Sequence, residues 1–264
     1  MINLMRKKAF NFFKAIKDFG LINGFIFLWN RRKILGKLIR GKTYLAPFGK
    51  ERIAIRNGTS DIFVYRQIFI DNEYKPLTFI ENVDWVIDCG ANVGYSAFYF
   101  LNKFPNSRVV CIEPDVENYK VLCENLKSFS NRVIIENVAV WPVDERVYFT
   151  SEPYRDGREW ARQICSENEK GSGPYVEGLS ISSLLKKHCI SKVSVMKIDI
   201  EGAEVPLFSK GDLIWLDKVM NFAIELHDDS FFGNATELFF SALKNQPFKF
   251  EKSGELIICK RFGQ

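Results

Sequence analysis

Blocks of apolar residues followed by amphipathic stretches predict that strands and helices alternate along the middle of the chain. Trp85–Cys89 is apolar enough to be a strand buried on both faces, and Tyr95–Lys103 has the spacing of a helix. The order repeats in the predicted strand Arg108–Ile112, the helix Asp115–Phe129 and a third strand, Val133–Val140. Because strands that alternate with helices form parallel sheets through right-handed crossovers, the pattern predicts an α/β fold.

The alternation resumes after a polar interruption. Glycine and charged residues make Arg146–Gly178 a predicted surface excursion. Beyond it, the pattern predicts a helix, two strands and a second helix, at Ser182–His188, Val193–Ile198, Phe222–Leu226 and Ala235–Lys244. Two strand-like runs then flank Ser253-Gly254, which predicts that the sheet ends in an antiparallel hairpin.

Residues 1–42, called the basic head below, differ in charge from the rest of the chain. They hold eleven Lys and Arg against the single acid Asp18, a net charge of +10, whereas the remainder carries −5. We expect a basic amphipathic helical extension over 1–45 and a separate domain over 46–264. The head either packs on that domain or makes peripheral contact with an acidic membrane. Its apolar residues recur at helical spacing, at Ile2, Met5, Ala9, Phe12, Ile16 and Phe19.

The segment between the head and the first buried strand has its own local signals. Residues 51–75 predict a short strand, a turn at Asn57-Gly58 and a helix capped by Thr59, Ser60 or Asp61. We expect the stretch from Thr59 to Tyr74 to cover the crevice at the edge of the sheet.

Length and composition restrict the class of protein further. A chain of 264 residues buries enough surface to need neither disulfides nor a structural metal. Its six cysteines are scattered without a CxxC pair, which favours a reducing cytoplasm. The mildly acidic body excludes a general nucleic-acid surface, and no apolar run of the head approaches the ~20 residues that span a bilayer. The sequence does not indicate an oligomeric state.

The stretch VIDCGANVGYSAFYF, residues 86–100, carries the first candidate chemistry. A strand that ends in Asp88 and runs through Gly90, Asn92 and Gly94 into a helix predicts a ligand-binding turn at the carboxyl end of a parallel strand. The glycines would permit close approach of a ligand and unusual dihedral angles. Neither the dinucleotide pattern GxGxxG nor a Walker lysine is present here. Glu113, at the end of the next strand, is well placed to accept hydrogen bonds from two ribose hydroxyls.

A second group of ionisable residues follows the later strands. Lys197 and Asp199 lie two apart and hence on one face of a strand, and Glu201 falls in the turn that follows. Glu225 and His227 repeat the spacing at the next strand end. Because these strand ends open onto one crevice, we expect Lys197, Asp199, Glu201 and His227 to be catalytic. Glu201 and Glu204 have a second interpretation, as acids that only cap a helix N-terminus, and His227 has one as an edge histidine whose hydrogen bonds are satisfied within the fold.

Four segments together resemble the FkbM family of class I S-adenosylmethionine-dependent methyltransferases. They are RNGTSDIFVYRQIFIDNEY (56–74), VIDCGANVGYSA (86–97), CIEPDVENYKVLCENL (111–126) and VMKIDIEGAEVPLF (195–208). The resemblance covers about residues 50–260 and omits the basic head. It implies a Rossmann-like fold with a mostly parallel seven-stranded sheet, helices on both faces and a terminal antiparallel hairpin.

The resemblance also implies a cofactor, S-adenosyl-L-methionine, and residues that bind it. Asp88, Gly90, Asn92 and Gly94 would line its methionine part, and Glu113 would hold the ribose. Asn137 and Val138 would border the adenine. The remaining candidates for cofactor binding are Ala91, Tyr95, Ser96, Pro114 and Asp199.

The expected reaction is O-methylation of a sugar or glycosylated acceptor, for which His227 or Asp199 would act as general base. A divalent cation such as Mg²⁺ held by Asp199 and Glu201 is the less favoured alternative, so we expect no metal. Competing functions are an N-methyltransferase or small-molecule methyltransferase on the same fold, and a non-catalytic, membrane-associated subunit that binds the cofactor. An NAD-dependent oxidoreductase is the most distant.

Overall fold

The computed structural model describes residues 43–48, 51–150, 162–167 and 174–262. The basic head lies outside these residues, so its predicted helices and its membrane contact stay predictions. The described part of the chain falls into two units, which divide after Glu73.

In the first unit, an antiparallel strand pair leads into a short helix. Thr43–Phe48 (β1) pairs with Glu51–Arg56 (β2), and Asp61–Tyr65 (α1) continues into a wider π-helical turn over 66–70. The Thr59 hydroxyl donates to the backbone oxygen of Arg56 and accepts from the backbone N–H of Asp61. The predicted strand, turn and helix start are therefore confirmed. The predicted cover over the crevice stays a prediction.

The second unit is built on a seven-stranded sheet. Its strands are β3 (Trp85–Cys89), β4 (Arg108–Ile112), β5 (Val133–Glu136), β10 (Val195–Ile198), β11 (Asn221–Ile224), β12 (Phe248–Ser253) and β13 (Leu256–Arg261). They lie in the order β12-β13-β11-β10-β3-β4-β5. The pairings from β11 through β5 are parallel, and β13 is antiparallel to both of its neighbours. The predicted parallel sheet with a terminal hairpin is confirmed.

Helices fill the connections between these strands. They are α2 (Tyr95–Lys103), α3 (Val116–Asn125), α4 (Ile181–Lys187), α5 (Glu204–Lys210) and α6 (Ala235–Leu243), with short 3₁₀ turns at Lys75–Phe79, Lys127–Phe129 and Ile214–Lys218. Three helix starts are fixed by side chains, since Asp115 accepts the first amides of α3, Ser180 accepts one of α4 and Asn234 accepts one of α6.

The predicted surface excursion Arg146–Gly178 is partly wrong. Its described residues contribute to a second sheet of four strands, in the order β6-β9-β7-β8: β6 (Ala139–Val140), β7 (Glu145–Phe149), β8 (Ile164–Ser166) and β9 (Tyr175–Leu179). The predicted third strand also divides, because β5 ends at Glu136 and Ala139–Val140 joins this sheet. The small sheet is held by its own apolar cluster, which includes Trp141, Val147 and Ile164.

A large hydrophobic cluster fixes the central sheet. It joins apolar residues of β3, β4, β10 and β11 to α4, α5 and α6, with Trp215, Phe222 and Phe239 among its largest fully buried members. The packing holds the carboxyl ends of the parallel strands at one edge of the sheet. The site residues predicted from the sequence lie at that edge or in the turns that follow it.

Candidate functional site

The turn after β3 is a tight backbone structure pinned to the end of β4. The backbone N–H groups of Gly90 and Ala91 both donate to the carbonyl oxygen of Ile112, at 3.0 and 2.9 Å. Gly90 and Gly94 have φ of +78° and +87°, and Asn92 lies between them at +49°. The expectation of unusual dihedral angles is thus confirmed, since this region strongly favours glycine.

The close approach at Gly90 and Gly94 is made by the protein itself. A Cβ added at Gly90 would overlap the backbone carbonyl oxygen of Asp199 and lie 2.9 Å from its carbonyl carbon. A Cβ at Gly94 would lie 2.6 Å from Cδ1 of Leu122, on α3. Packing of the turn against β10 and α3 therefore accounts for both glycines, without the ligand contact that the sequence suggested.

The carboxylate of Asp88 is fully buried at the end of β3. Its Oδ2 accepts a 2.5 Å hydrogen bond from the hydroxyl of Ser96, and its Oδ1 lies 3.5 Å from Nζ of Lys197. Burial raises the pKa of Asp88, and the Lys197 ammonium opposes that shift. Two of the predicted cofactor residues, Asp88 and Ser96, are therefore joined directly.

Glu113 lies beside the same turn. Its Oε2 accepts from the backbone N–H of Asn92 at 2.8 Å, and its Oε1 accepts from that of Asp115 at 2.9 Å. Burial raises the pKa of Glu113 to about 7, and the hydrogen bonds from Asp115 and Asn92 limit the rise. Asn137 donates to the backbone oxygens of Glu113 and Pro114, at 2.8 and 3.1 Å.

The other predicted cofactor residues have less distinctive surroundings. Ala91 and Tyr95 are buried in the turn and at the start of α2, and Val138 packs against the large hydrophobic cluster. Asn92, Glu113 and Asn137 thus form one polar surface linked by hydrogen bonds, and Asp88 ends the strand that leads into the same turn.

Lys197 connects this surface to the second group of ionisable residues. Its ammonium donates to the backbone oxygen of Gly90 at 2.5 Å and lies 3.3 Å from Oδ2 of Asp199. Burial lowers the pKa of Lys197, but the carboxylates of Asp199 and Asp88 outweigh it and raise the pKa well above its ordinary value. Lys197 is therefore a buried cation shared by both halves of the site.

We call His227, Asp199, Glu201 and Glu225 the His227 cluster. The His227 side chain is fully buried, and its Nε2 lies 3.4 Å from Glu225 Oε1, 3.6 Å from Glu201 Oε2 and 3.8 Å from Asp199 Oδ1. These four residues come from the ends of two adjacent strands, β10 and β11. The structure thus brings together Lys197, Asp199, Glu201 and His227, the residues predicted to be catalytic.

Glu204 supports the cluster from below. Its carboxylate accepts the backbone N–H groups of Ile200 and Gly202, at 3.0 and 2.8 Å, at the start of α5. The same carboxylate contacts Nδ1 of His227 at 2.9 Å. Glu204 is the acid in the first turn of α5, but its hydrogen bonds hold the turn before the helix rather than cap it, and the structure adds a second role, the orientation of His227.

The carboxylates around His227 favour its charged form. Burial lowers the pKa of His227, but the neighbouring carboxylates of Glu204 and Glu225 outweigh it and raise the pKa to about 11. An imidazolium has no lone pair with which to accept a proton. This state does not suit the predicted role of His227 as a general base at neutral pH.

Sequence reasoning missed two residues beside the turn at Glu201-Gly202. A Cβ at Gly202 would lie 2.5 Å from Cβ of Ser230 and 2.6 Å from Nε2 of Gln163. Both side chains are buried, and Gln163 Nε2 and Ser230 Oγ have no hydrogen-bond partner among the described residues. Gln163 gave no signal because it lies in the polar excursion, and Ser230 resembles any serine of a turn.

The sheet order, the glycine turn at the end of β3 and the acid at the end of β4 define a class I, S-adenosylmethionine-dependent methyltransferase. The model of the Methyltransferase FkbM domain matches residues 88–250. The chain therefore belongs to the FkbM methyltransferase family.

Curated relatives share this region at low identity. Methyltransferase sdnD of Sordaria araneosa is 22% identical over 199 residues, which are 64% of this chain and 75% of that protein. Methyltransferase 1 of Beauveria bassiana is 22% identical over 183 residues, 63% of this chain and 73% of that protein. The AMB antimetabolite synthetase AmbE of Pseudomonas aeruginosa is 24% identical over 211 residues, but the chain spans only 10% of its length.

Solved structures resemble the chain more distantly. An S-adenosylmethionine-dependent O-methyltransferase from Thermotoga maritima is 12% identical with a TM-score of 0.39, covering 84% of this chain and 78% of the other. TM-scores this low carry no conclusion about substrate. Within the part of the chain that the structure describes, no helix has the length and apolar character needed to cross a membrane.

Proposed function

We propose that this methyltransferase transfers the methyl group of S-adenosylmethionine to a hydroxyl of a sugar or glycosylated acceptor. The observation that carries the proposal is the position of Lys197, which contacts both Gly90 in the glycine turn and Asp199 in the His227 cluster. A donor held at the turn would lie next to ionisable groups that could receive the acceptor.

The donor side follows from the polar surface around the turn. S-adenosylmethionine supplies an electrophilic methyl group on a positively charged sulfur. Asp88, whose carboxylate is fully buried, would offer negative charge to that sulfur, and burial strengthens such an interaction. Glu113 keeps acceptor capacity on Oε2, which among the described residues accepts only the Asn92 amide, for a ribose hydroxyl, and Asn137 lies beside it for the adenine.

The acceptor side needs a group that removes a proton. A hydroxyl oxygen is a poor nucleophile unless its proton leaves as the new bond forms, and the oxygen must lie in line with the methyl carbon and the sulfur. Because His227 is held as an imidazolium, we assign removal of the acceptor's proton to the carboxylates of the His227 cluster. We assign orientation of the acceptor to His227.

A polyhydroxylated acceptor accounts for the polar atoms beside the cluster. Buried polar groups rarely lack partners, and Gln163 and Ser230 each leave one buried atom unpaired next to Gly202. Hydrogen bonds to acceptor hydroxyls would satisfy them. The resemblance of the sequence to the FkbM family supports a sugar in the same way.

The test is to incubate the protein with S-adenosylmethionine labelled in the methyl group and with a glycan extract, and to identify the labelled product. We expect an O-methyl sugar, and we expect Glu225→Gln to slow its formation by roughly 10²–10⁴, as loss of a proton acceptor does. Label on nitrogen atoms alone, or equal rates for the variant and the parent protein, would overturn the proposal.

A further inference from the structure

We propose that Asp199, Glu201 and His227 bind one divalent cation of the Mg²⁺ or Mn²⁺ kind. The binding site stands on the geometry alone. Its role in catalysis rests on the proposed function, because the cation would hold the acceptor hydroxyl.

Three ligand atoms converge at the right separation. Asp199 Oδ1, Glu201 Oε2 and His227 Nε2 all lie within 4.8 Å of one another, and Nε2 is 3.8 and 3.6 Å from the two oxygens. Donors that are each about 2.1 Å from a small cation lie about 3–4 Å apart. A cation can therefore contact all three after small shifts of the side chains.

The same three atoms are buried and unpaired. None of them has a hydrogen-bond partner among the described residues, although buried polar atoms are normally paired. The His227 side chain is completely buried and directs this unpaired nitrogen at three carboxylates. A cation would replace the proton on Nε2 of the imidazolium, since a histidine binds metal only in its neutral form, and it would satisfy the three atoms together.

Glu204 completes an arrangement that is usual for histidine ligands. Metal-bound histidines generally donate their second N–H to a carboxylate, which fixes the ring and its tautomer. His227 Nδ1 lies 2.9 Å from Glu204 Oε1, and Glu204 is itself held by two backbone amides. The ring is therefore oriented so that Nε2 faces the cluster.

The backbone at Glu201 is strained in a way that serves the site. Glu201 has φ of +54°, in the left-handed region, and Gly202 follows at +98°. Such conformations persist where surrounding structure enforces them, commonly at ligand sites. Here the bonds from the amides of Ile200 and Gly202 to Glu204 hold the turn, and the turn brings the Glu201 carboxylate to Nε2.

The donor set indicates the class of cation. Two carboxylates suit Mg²⁺ and Mn²⁺, and one imidazole shifts the preference toward Mn²⁺. Asp199, Glu201, Glu204 and Glu225 place four carboxylates around one imidazole, an excess of negative charge that a divalent cation would offset. The sequence favoured a metal-free site because no further acid cluster beyond Asp199 and Glu201 completed a set of ligands.

In the reaction, the cation would hold the acceptor oxygen and make its proton more acidic. Glu225, which is not one of the three ligands, lies 3.4 Å from Nε2 and would take that proton. The acceptor O–H bond breaks, the oxygen bonds to the methyl carbon, and the methyl–sulfur bond breaks with its electron pair left on sulfur. Charge and atoms balance without a further reactant.

The test treats the full-length protein with a chelator and then measures its binding of Mn²⁺ by electron paramagnetic resonance. We expect one saturable site per chain, with spin-echo modulation from one imidazole nitrogen. Asp199→Asn and Glu201→Gln should weaken binding at least tenfold, and His227→Gln should remove the nitrogen signal. Glu251→Gln, which removes the same charge from the exposed β12 pair with Lys260, should bind as the parent protein does.

The outcomes separate this inference from the proposed function. Circular dichroism identifies variants that fail to fold. If His227→Gln fails to fold, Asp199→Asn and Glu201→Gln still test the same site. Absence of saturable Mn²⁺ binding to the folded parent protein, or equal binding by the folded variants and by Glu251→Gln, overturns the cation site. Methylation of a sugar that survives full chelation would leave the proposed function standing without the cation. Mn²⁺ binding with the imidazole signal, but no sugar methylation, would support the cation site and overturn the proposed function.

Discussion

The substitution Gly90→Ala tests how the two halves of the site are joined. Gly90 has φ of +78°, and an added Cβ would overlap the carbonyl oxygen of Asp199. The left-handed backbone costs an alanine about 1–2 kcal/mol. Overpacking costs about 1–3 kcal/mol more, and the upper end applies because the obstacle is backbone at the end of β10 rather than a flexible side chain. We therefore expect the free energy of unfolding to fall by about 4–5 kcal/mol.

Gly58→Ala is the matched control. Gly58 has φ of +83°, but a Cβ there would meet no described atom within 4 Å. It should cost only the backbone term of about 1–2 kcal/mol. Urea denaturation followed by tryptophan fluorescence gives both values. If Gly90→Ala costs no more than Gly58→Ala, then the turn and β10 are not in the close contact from which we argue.

Three further predictions concern the cofactor and the segments before the sheet. The pKa of Glu113 is about 7, and ribose hydroxyls donate to its ionised form, so affinity for S-adenosylmethionine should fall up to about tenfold per pH unit below that value. Calorimetry from pH 5.5 to 8 measures this affinity. The affinity of Glu113→Gln should not change with pH, and a parent protein whose affinity does not change either would contradict the assignment. Deletion of residues 1–45 should preserve binding of the cofactor and deletion of 1–75 should abolish it, and equal behaviour in the same calorimetry would refute a role of Thr59–Tyr74. The full chain should co-sediment with anionic liposomes at low salt, but the chain lacking 1–45 should not, because basic residues near an acidic surface contribute about 1 kcal/mol each. If the full chain does not bind liposomes, the basic head packs on the domain instead.

Much of the central sheet could be predicted from local signals. The strands in the runs at Trp85–Cys89, Arg108–Ile112 and Val193–Ile198 are buried on both faces. Burial of both faces makes consecutive residues apolar, and such a run can be recognised in the sequence. The turn at Ser253-Gly254 marks the hairpin in the same local way. The glycine turn and the acid at Glu113 were likewise visible as motifs.

The small sheet could not be predicted in this way. Its strands β7, β8 and β9 are only three to five residues long, and polar stretches separate them along the chain. In strands this short, the alternation of apolar and polar residues covers too few positions to be recognised. Their pairing with one another, as in Val147 opposite Ser166 and Val176, depends on partners that are distant in sequence.

The sequence by itself determined which residues could carry the chemistry, namely the acids, the lysine and the histidine that end the parallel strands. Only the tertiary structure decided what they do to one another. It placed the Asp199 carbonyl against Gly90, which explains the glycine by packing, and it placed Glu204 against His227, which turns an acid expected to cap a helix into the group that orients the ring. These contacts join residues of different strands and helices. Their energies depend on distances across the sheet, and no pattern of neighbouring residues encodes such distances.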